Sequence, residues 1–181
     1  ILAGRSYVPI DVEQPQERQR EIAQLAKVTH VLASDDQPNW SGVGEVLVGS
    51  RWPEPLAALP TEALDWSPTA EIYLLFTSGS TGEPKGVPIL QLGLVNLLEH
   101  NAEWLQLTSA DRVFGVSALH HDMSVAELLG SLPLGATLVM PSQAYRRDPE
   151  QWFTLMQKHG VSYWSSVPAL AEMLLDHGEA R

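Results

Sequence analysis

The sequence has no cysteine among its 181 residues. Without cysteine a chain cannot form a disulfide framework, a thiolate metal site, an iron–sulfur cluster or a cysteine nucleophile. The absence also suits a reducing compartment. We therefore predict a cytoplasmic protein that depends on its hydrophobic core for stability.

Basic residues and long apolar runs are scarce as well. Lys and Arg number 11 against 22 Asp and Glu, which gives a formal net charge of −11. Nucleic acids and anionic lipids bind clustered cations, so we expect neither a nucleic-acid partner nor a membrane partner. No apolar run reaches the roughly 18 residues that suggest a membrane-spanning helix. A phosphorylated small ligand remains compatible with this charge, because local geometry can override it.

What is present is the composition of a globular domain, with 44% hydrophobic and 18% charged residues. The length fits one ordinary domain or two small ones. The chain starts with Ile1 rather than Met and has no signal-peptide pattern, and Arg181 follows no evident domain end. We therefore expect it to be a segment of a larger protein.

Apolar periodicity predicts strands that alternate with helices. Helices are predicted over residues 16–27, 92–107, 124–132 and 149–159 and from residue 169 onward, and strands over 29–33, 43–48, 71–76, 87–90, 112–117, 136–140 and 161–165. This order implies an α/β fold with a mostly parallel sheet and helices on both faces. The predicted organisation is a first βα element over 1–33, a Pro-rich connection over 34–70 and alternating elements over 71–181.

Local signals mark several helix ends and core positions. Ser124 and Glu127 have the spacing of a capping box at the start of the 124–132 helix. Asp148 is the predicted N-cap of the 149–159 helix, with Gly160 just past its end. Three tryptophans on periodic segments are predicted to be core residues: Trp104, Trp152 and Trp164.

A glycine-rich stretch over 77–86 follows the apolar strand at 71–76. It has three glycines, four hydroxyl side chains and one lysine. Glycines let the backbone N–H groups approach an anion, and Lys85 adds a positive charge for phosphate oxygens. A plain surface turn is the alternative. The P-loop motif of NTPases and the dinucleotide fingerprint both fail, because the extended 87–90 run follows Lys85 and no helix opens there.

Three stretches resemble motifs of one family and occur in that family's order. One is the run over 74–87, LLFTSGSTGEPKGV, which resembles the phosphate loop of adenylate-forming enzymes. The others are AGRSYVPID over 3–11 and HDMSVAE over 121–127, which resemble the "AGxAYVPxD" and "FDxSVxE" elements of adenylation domains in nonribosomal peptide synthetases. The resemblance implies part of the large N-terminal subdomain of such an adenylation domain.

That resemblance implies a reaction of ATP with an amino acid to give aminoacyl-AMP, with Mg²⁺ as a cofactor. The product would pass to phosphopantetheine on a carrier domain, and the implied partners are carrier and condensation-type domains of the same assembly line. Lys85 and Thr81 are the implied catalytic residues. The implied phosphate-binding residues are Thr77, Ser78, Gly79, Ser80, Thr81, Gly82 and Lys85.

The resemblance also implies an amino-acid pocket. Asp122 would pair with the substrate's ammonium group, and the alternative is that it only caps the following helix. Met123, Ala126 and Ser165 would line the side-chain pocket, where the small Ala126 leaves room. His121 replaces the family's Phe and would either orient the substrate carboxylate or pack at the surface.

A metal site at His120, His121 and Asp122 is not expected. Neighbouring residues on an extended segment point to opposite sides, so only His120 and Asp122 should share a face. A catalytic zinc site usually has three protein ligands. We therefore assign no metal ligands.

The stretches over 146–149 and 166–170 most resemble siderophore-type synthetases. By resemblance, the family's adenine-binding, magnesium-binding and ribose-binding residues and its catalytic lysine of the C-terminal subdomain lie downstream, so the isolated segment should be inactive. Two other functions remain open: an acyl- or aryl-acid CoA ligase, and a non-catalytic regulatory descendant.

Overall fold

The chain contains both helices and strands, which alternate from residue 91 onward, so the predicted α/β class is confirmed. The structure is a computed structural model that describes residues 5–33, 45–48, 67–78 and 83–179. The chain divides after Gly93 into two compact units.

Among its described residues, the first unit contains helix α1 and four strands. They are α1 (Gln16–Leu25), β1 (His30–Ala33), β2 (Glu45–Val48), β3 (Glu71–Ser78) and β4 (Pro84–Leu90). Strand β1 pairs with β2 in parallel, and Ala23 of α1 is buried against Ile10, Val28 and Val31. Helix α1 ends two residues earlier than predicted, because Lys27 adopts a left-handed φ of 52°.

Strands β3 and β4 form an antiparallel hairpin that the sequence did not predict. Pro88 was expected to limit pairing, yet it lies opposite Leu74 in the ladder. In the described part of the chain β4 pairs with β3 alone. A proline is tolerated on such an edge strand, where its missing N–H costs no cross-strand bond.

Helix α2 (Gln91–Leu105) crosses the division and leads into the second unit. That unit continues with β5 (Arg112–Phe114), α3 (Asp122–Ser131), β6 (Thr137–Val139), α4 (Pro149–His159), β7 (Tyr163–Trp164) and α5 (Pro168–Glu179). Strands β6, β5 and β7 form a parallel sheet in that order. The predicted strands are thus present but shorter than their apolar runs.

Helices pack on both faces of this three-stranded sheet. Phe114 of β5 is fully buried with Trp152 of α4 and packs near residues of α5. Its neighbour Val113 points the other way and lines a cavity together with residues of α3. This is the alternation of a strand buried on both faces.

Helix α4 has the predicted ends. The Asp148 carboxylate accepts hydrogen bonds from the backbone N–H groups of Glu150 and Gln151, at 3.1 and 3.2 Å. Gly160 closes the helix in the left-handed conformation, with φ of 60°. The N-cap and C-cap predictions are therefore confirmed.

Two of the three tryptophan predictions are confirmed and one is wrong. Trp152 is fully buried and Trp164 packs in the same core, as predicted. Trp104 was expected in the core but is 75% exposed, because it lies on the outer side of α2 at the rim of the cavity.

Most of the predicted Pro-rich connection and residues 79–82 lie outside the described residues. Within the connection, the 43–48 prediction corresponds to strand β2. None of the described helices combines the length and the apolarity needed to cross a bilayer.

Candidate functional site

The β3–β4 hairpin holds the two ends of the glycine-rich stretch. Thr77 lies opposite Lys85 in the ladder, and Ser78 lies opposite Pro84. The Thr77 hydroxyl donates a long hydrogen bond of 3.5 Å to the Lys85 carbonyl, and both side chains are exposed. A hydroxyl and a cation thus flank residues 79–83 in a fixed register, which is an arrangement suited to an anionic ligand.

The boundaries of the stretch differ from the prediction. A loop was expected over 77–86, but β3 extends through Ser78 and β4 begins at Pro84 because cross-strand pairing continues the ladder. Gly86 is paired with Phe76, and a Cβ there would lie 3.3 Å from the Phe76 ring. Its lack of a side chain therefore serves packing within the hairpin.

In the second unit, three predicted pocket residues lie together. Met123 and Ala126 of α3 and Ser165 after β7 line one cavity of about 200 Å³. Its remaining wall is mostly apolar and includes Leu105 and Tyr163. Two distant sequence segments thus supply one concave site, which is the usual form of a small-molecule site.

Asp122 and His121 are placed differently from these three residues. Both are exposed, and neither lines the cavity. Asp122 is the first residue of α3, and its Oδ1 accepts a hydrogen bond of 2.8 Å from the Met123 N–H. The carboxylate therefore lies at the positive end of α3, next to a residue of the cavity wall.

The predicted geometry of the histidine pair is wrong. The His120 and His121 rings contact each other with centroids 4.4 Å apart. They do so because the segment is a turn, closed by a 2.8 Å bond from the His121 N–H to the Ala118 carbonyl, and not an extended strand. Within residues 5–33, 67–77 and 83–178, no three His, Asp or Glu side chains are grouped to hold a metal.

The predicted capping box is also wrong. Helix α3 begins at Asp122, two residues before Ser124, so Ser124 lies inside the helix. Its hydroxyl donates to the His121 carbonyl at 2.8 Å. Glu127 is 5% exposed, and its carboxylate accepts hydrogen bonds from Ser117 instead.

The Glu127 carboxylate has a pKa that its surroundings shift. Burial raises its pKa above the ordinary value, against the lowering effects of the Ser117 hydroxyl and backbone N–H and the more distant Arg146. Sequence reasoning missed this residue as part of the site. The available signal was a set of polar residues at helical spacing within an apolar helix: Ser124, Glu127 and Ser131, all of which are buried.

Comparison with known proteins identifies the family. The family model described as "AMP-binding enzyme" matches residues 1–181. The chain belongs to the AMP-binding enzyme family. The predicted resemblance to adenylate-forming enzymes is thereby confirmed.

One relative, the "Anguibactin system regulator" of Vibrio anguillarum, is 37% identical over 178 residues, covering 98% of this chain and 17% of the relative. "Pyochelin synthetase PchE" of Pseudomonas aeruginosa is 39% identical over 179 residues, covering 97% and 12%. Both names refer to siderophore systems, which confirms the predicted likeness. The chain thus spans less than a fifth of the length of these relatives.

Comparison with a solved structure supports the same type of protein. The nonribosomal peptide synthetase FmoA3, in a form bound to alpha-methyl-L-serine-AMP, matches with a TM-score of 0.86 and 32% identity. The match covers 99% of this chain and 20% of FmoA3. The fold is therefore that of a partial adenylation domain of the peptide synthetase type.

Proposed function

We propose that the complete protein activates an amino acid as aminoacyl-AMP within a nonribosomal peptide synthetase. The observation that carries the proposal is the cavity in which Met123, Ala126 and Ser165 lie together, beside the helix start that bears Asp122. These are the positions that the motif resemblance assigns to the amino-acid pocket.

In this reaction the amino-acid carboxylate attacks the α-phosphorus of ATP, and pyrophosphate leaves. Lys85 and the hydroxyls of Thr77, Ser78, Ser80 and Thr81 hold the phosphates, while Gly79 and Gly82 let the backbone approach them. Thr81 and Lys85 act on the leaving group. Mg²⁺, when bound with ATP, neutralises phosphate charge; within the described residues no cluster of ligands for it is present.

On the amino-acid side, the Asp122 carboxylate forms a charge-assisted hydrogen bond with the substrate ammonium group. Its exposure at the start of α3 leaves it accessible to such a group. His121, also exposed there, orients the substrate carboxylate. The mostly apolar cavity wall favours an uncharged side chain, and the Ser165 hydroxyl offers one polar contact.

In the same proposal, the aminoacyl group passes to a phosphopantetheine thiol on a carrier domain. The protein then acts together with condensation-type domains. A cytoplasmic location is part of the same proposal.

The test is amino-acid-dependent ATP–pyrophosphate exchange by the complete parent protein with a panel of amino acids. Asp122→Asn should raise KM for the amino acid about 30-fold or more, because losing one partner of a charged pair costs ~2 kcal/mol or more. Asp176→Asn, at an exposed acid of α5, is the matched control. An unchanged KM in D122N would mean that Asp122 does not bind the ammonium group, whereas exchange that depends on a carboxylic acid without an amino group would favour a CoA ligase.

Lys85→Ala tests the nucleotide side of the same proposal. We expect exchange efficiency for ATP to fall about 10- to 100-fold, since a charge-assisted hydrogen bond contributes ~1.5–3 kcal/mol. Lys158→Ala, at an exposed lysine of α4, is the control. Unchanged ATP kinetics in K85A would mean that Lys85 does not bind the phosphates of ATP.

A regulatory role without catalysis is the second candidate, favoured by the name of the Vibrio anguillarum relative. It predicts that the parent protein catalyses no amino-acid-dependent ATP–pyrophosphate exchange.

A further inference from the structure

The loop that leads from β5 into α3 is tied at both ends by side-chain hydrogen bonds. On the strand side, both Glu127 carboxylate oxygens accept from the Ser117 N–H at 3.3 and 3.2 Å, and Oε1 also accepts from the Ser117 hydroxyl at 2.5 Å. On the helix side, the Ser124 hydroxyl donates to the carbonyls of His121 and Leu119. The short segment between Ser117 and Asp122 is thus held from α3 itself.

The fit around the Glu127 carboxylate is close. A Cβ at Gly115 would lie 3.3 Å from Glu127 Oε2 and 2.9 Å from Leu138 Cδ1. Glycine at 115 therefore leaves the space that the carboxylate and Leu138 occupy. In the described part of the chain no cation forms an ion pair with Glu127, so its position is set by Ser117, by the backbone of Val116 and by packing.

Burial makes this an unfavourable place for a charge, as the raised pKa of Glu127 indicates. Both oxygens accept hydrogen bonds from Ser117, and the backbone of Val116 donates to the carboxylate as well. The carboxylate therefore binds the loop after β5 and not a ligand. The side chain nevertheless lines the cavity that contains Met123 and Ala126.

We propose that Glu127 is a positioning residue that fixes the start of α3 through Ser117 and so holds Asp122 and Met123 in place for the amino-acid substrate. The inference rests on the proposed function, because it concerns the affinity of the same pocket. It predicts a change in the KM for the amino acid and no change in the KM for ATP.

The experiment uses the complete parent protein and measures exchange kinetics for Glu127→Ala, Glu127→Gln and Ser117→Ala. E127A should raise KM for the amino acid about tenfold, because the loop after β5 and the start of α3 lose their link. S117A should raise it about threefold, because only the hydroxyl bond is lost and the Ser117 N–H still donates to both Glu127 oxygens. KM for ATP should stay within about twofold of wild type. E127Q should restore the amino-acid KM, since its amide oxygen in the place of Oε1 can accept from both the Ser117 N–H and the Ser117 hydroxyl.

Ser162→Ala is the matched control. The Ser162 hydroxyl donates to Asp111 Oδ1 at 2.8 Å and accepts from the Arg112 N–H at 3.0 Å, which is a hydroxyl–carboxylate link at the opposite end of β5. S162A should lower the Tm without changing KM for the amino acid. S117A removes only one hydroxyl and provides a mild variant if E127A does not fold.

The outcomes separate the two proposals. An active wild-type protein whose E127A and S117A variants keep the amino-acid KM would overturn the positioning role, as would an E127Q variant as impaired as E127A. A wild-type protein without amino-acid-dependent ATP–pyrophosphate exchange would overturn the proposed function, and the inference with it.

Discussion

At the scale of single residues, Glu127 combines burial with a missing counter-charge. Its carboxylate accepts hydrogen bonds from Ser117 and from the backbone of Val116, and Arg146 attracts it only from a distance. The desolvation of the charged form therefore outweighs the hydrogen bonds that favour it, and the pKa is raised. An acid in this state makes the stability of the fold depend on pH.

The direction of that dependence is fixed by the sign of the shift. The folded form binds the Glu127 proton more tightly than the unfolded form, whose pKa is near the ordinary 4.5. The contribution of this group is therefore full below about pH 4.5 and is lost as pH rises through the raised value. We expect the Tm of Glu127→Gln, relative to wild type, to increase between about pH 4 and about pH 8.

Thermal unfolding of both proteins across this range measures the difference. Glu172→Gln, at an exposed glutamate of α5, controls for the loss of one negative charge. A Tm difference between E127Q and wild type that stays constant with pH would contradict the prediction.

At the scale of elements, α4 shows how local signals define a helix. The Asp148 cap satisfies two N–H groups of the first turn, and Gly160 terminates the last turn. We expect Asp148→Ala to lower the free energy of unfolding by about 1 kcal/mol, because these donors lose their acceptor. Asp148→Ser should retain most of the stability.

Equilibrium unfolding in urea of the complete parent protein checks this, with the transition followed for the domain that contains α4. Equal stability of D148A and D148S would mean that the cap contributes little beside the packing of Trp152.

The elements could be predicted wherever a local signal governs them. The ends of α4 and the existence of β5, β6 and β7 follow from caps and apolar runs. The β3–β4 hairpin could not be predicted, because cross-strand pairing outweighed the two prolines of β4, at 84 and 88. Glu127 was misassigned for a similar reason: the capping-box spacing is local, while its partner Ser117 lies ten residues away in the loop after β5.

At the scale of the whole molecule, motif resemblance predicted the family and named the residues that line the cavity. Met123 and Ala126 of α3 and Ser165 after β7 come from two separate segments, and only the fold brings them together. Their functional roles stay predictions, as does the phosphate-binding role of residues 77–85. Spacing alone could not reveal that Asp122 begins α3 or that Trp104 is exposed.

The isolated 181 residues should catalyse no ATP–pyrophosphate exchange. The chain spans less than a fifth of its relatives, and the resemblance assigns the adenine-binding and magnesium-binding residues to the remainder. Exchange assays on the purified segment, beside the complete parent protein, measure this directly. Robust exchange by the segment would mean that the catalytic residues have been misplaced.

The antiparallel ladder of the hairpin has one further consequence, for natural variation in length. Thr77 and Lys85 are directly opposite each other because of the strand register, whatever the connection between them. Residues can therefore be gained or lost at 79–83 without separating the hydroxyl from the ammonium group. A single residue inserted between Lys85 and Gly86 would shift Lys85 by one position in the ladder. Its side chain would then lie on the other face of the hairpin.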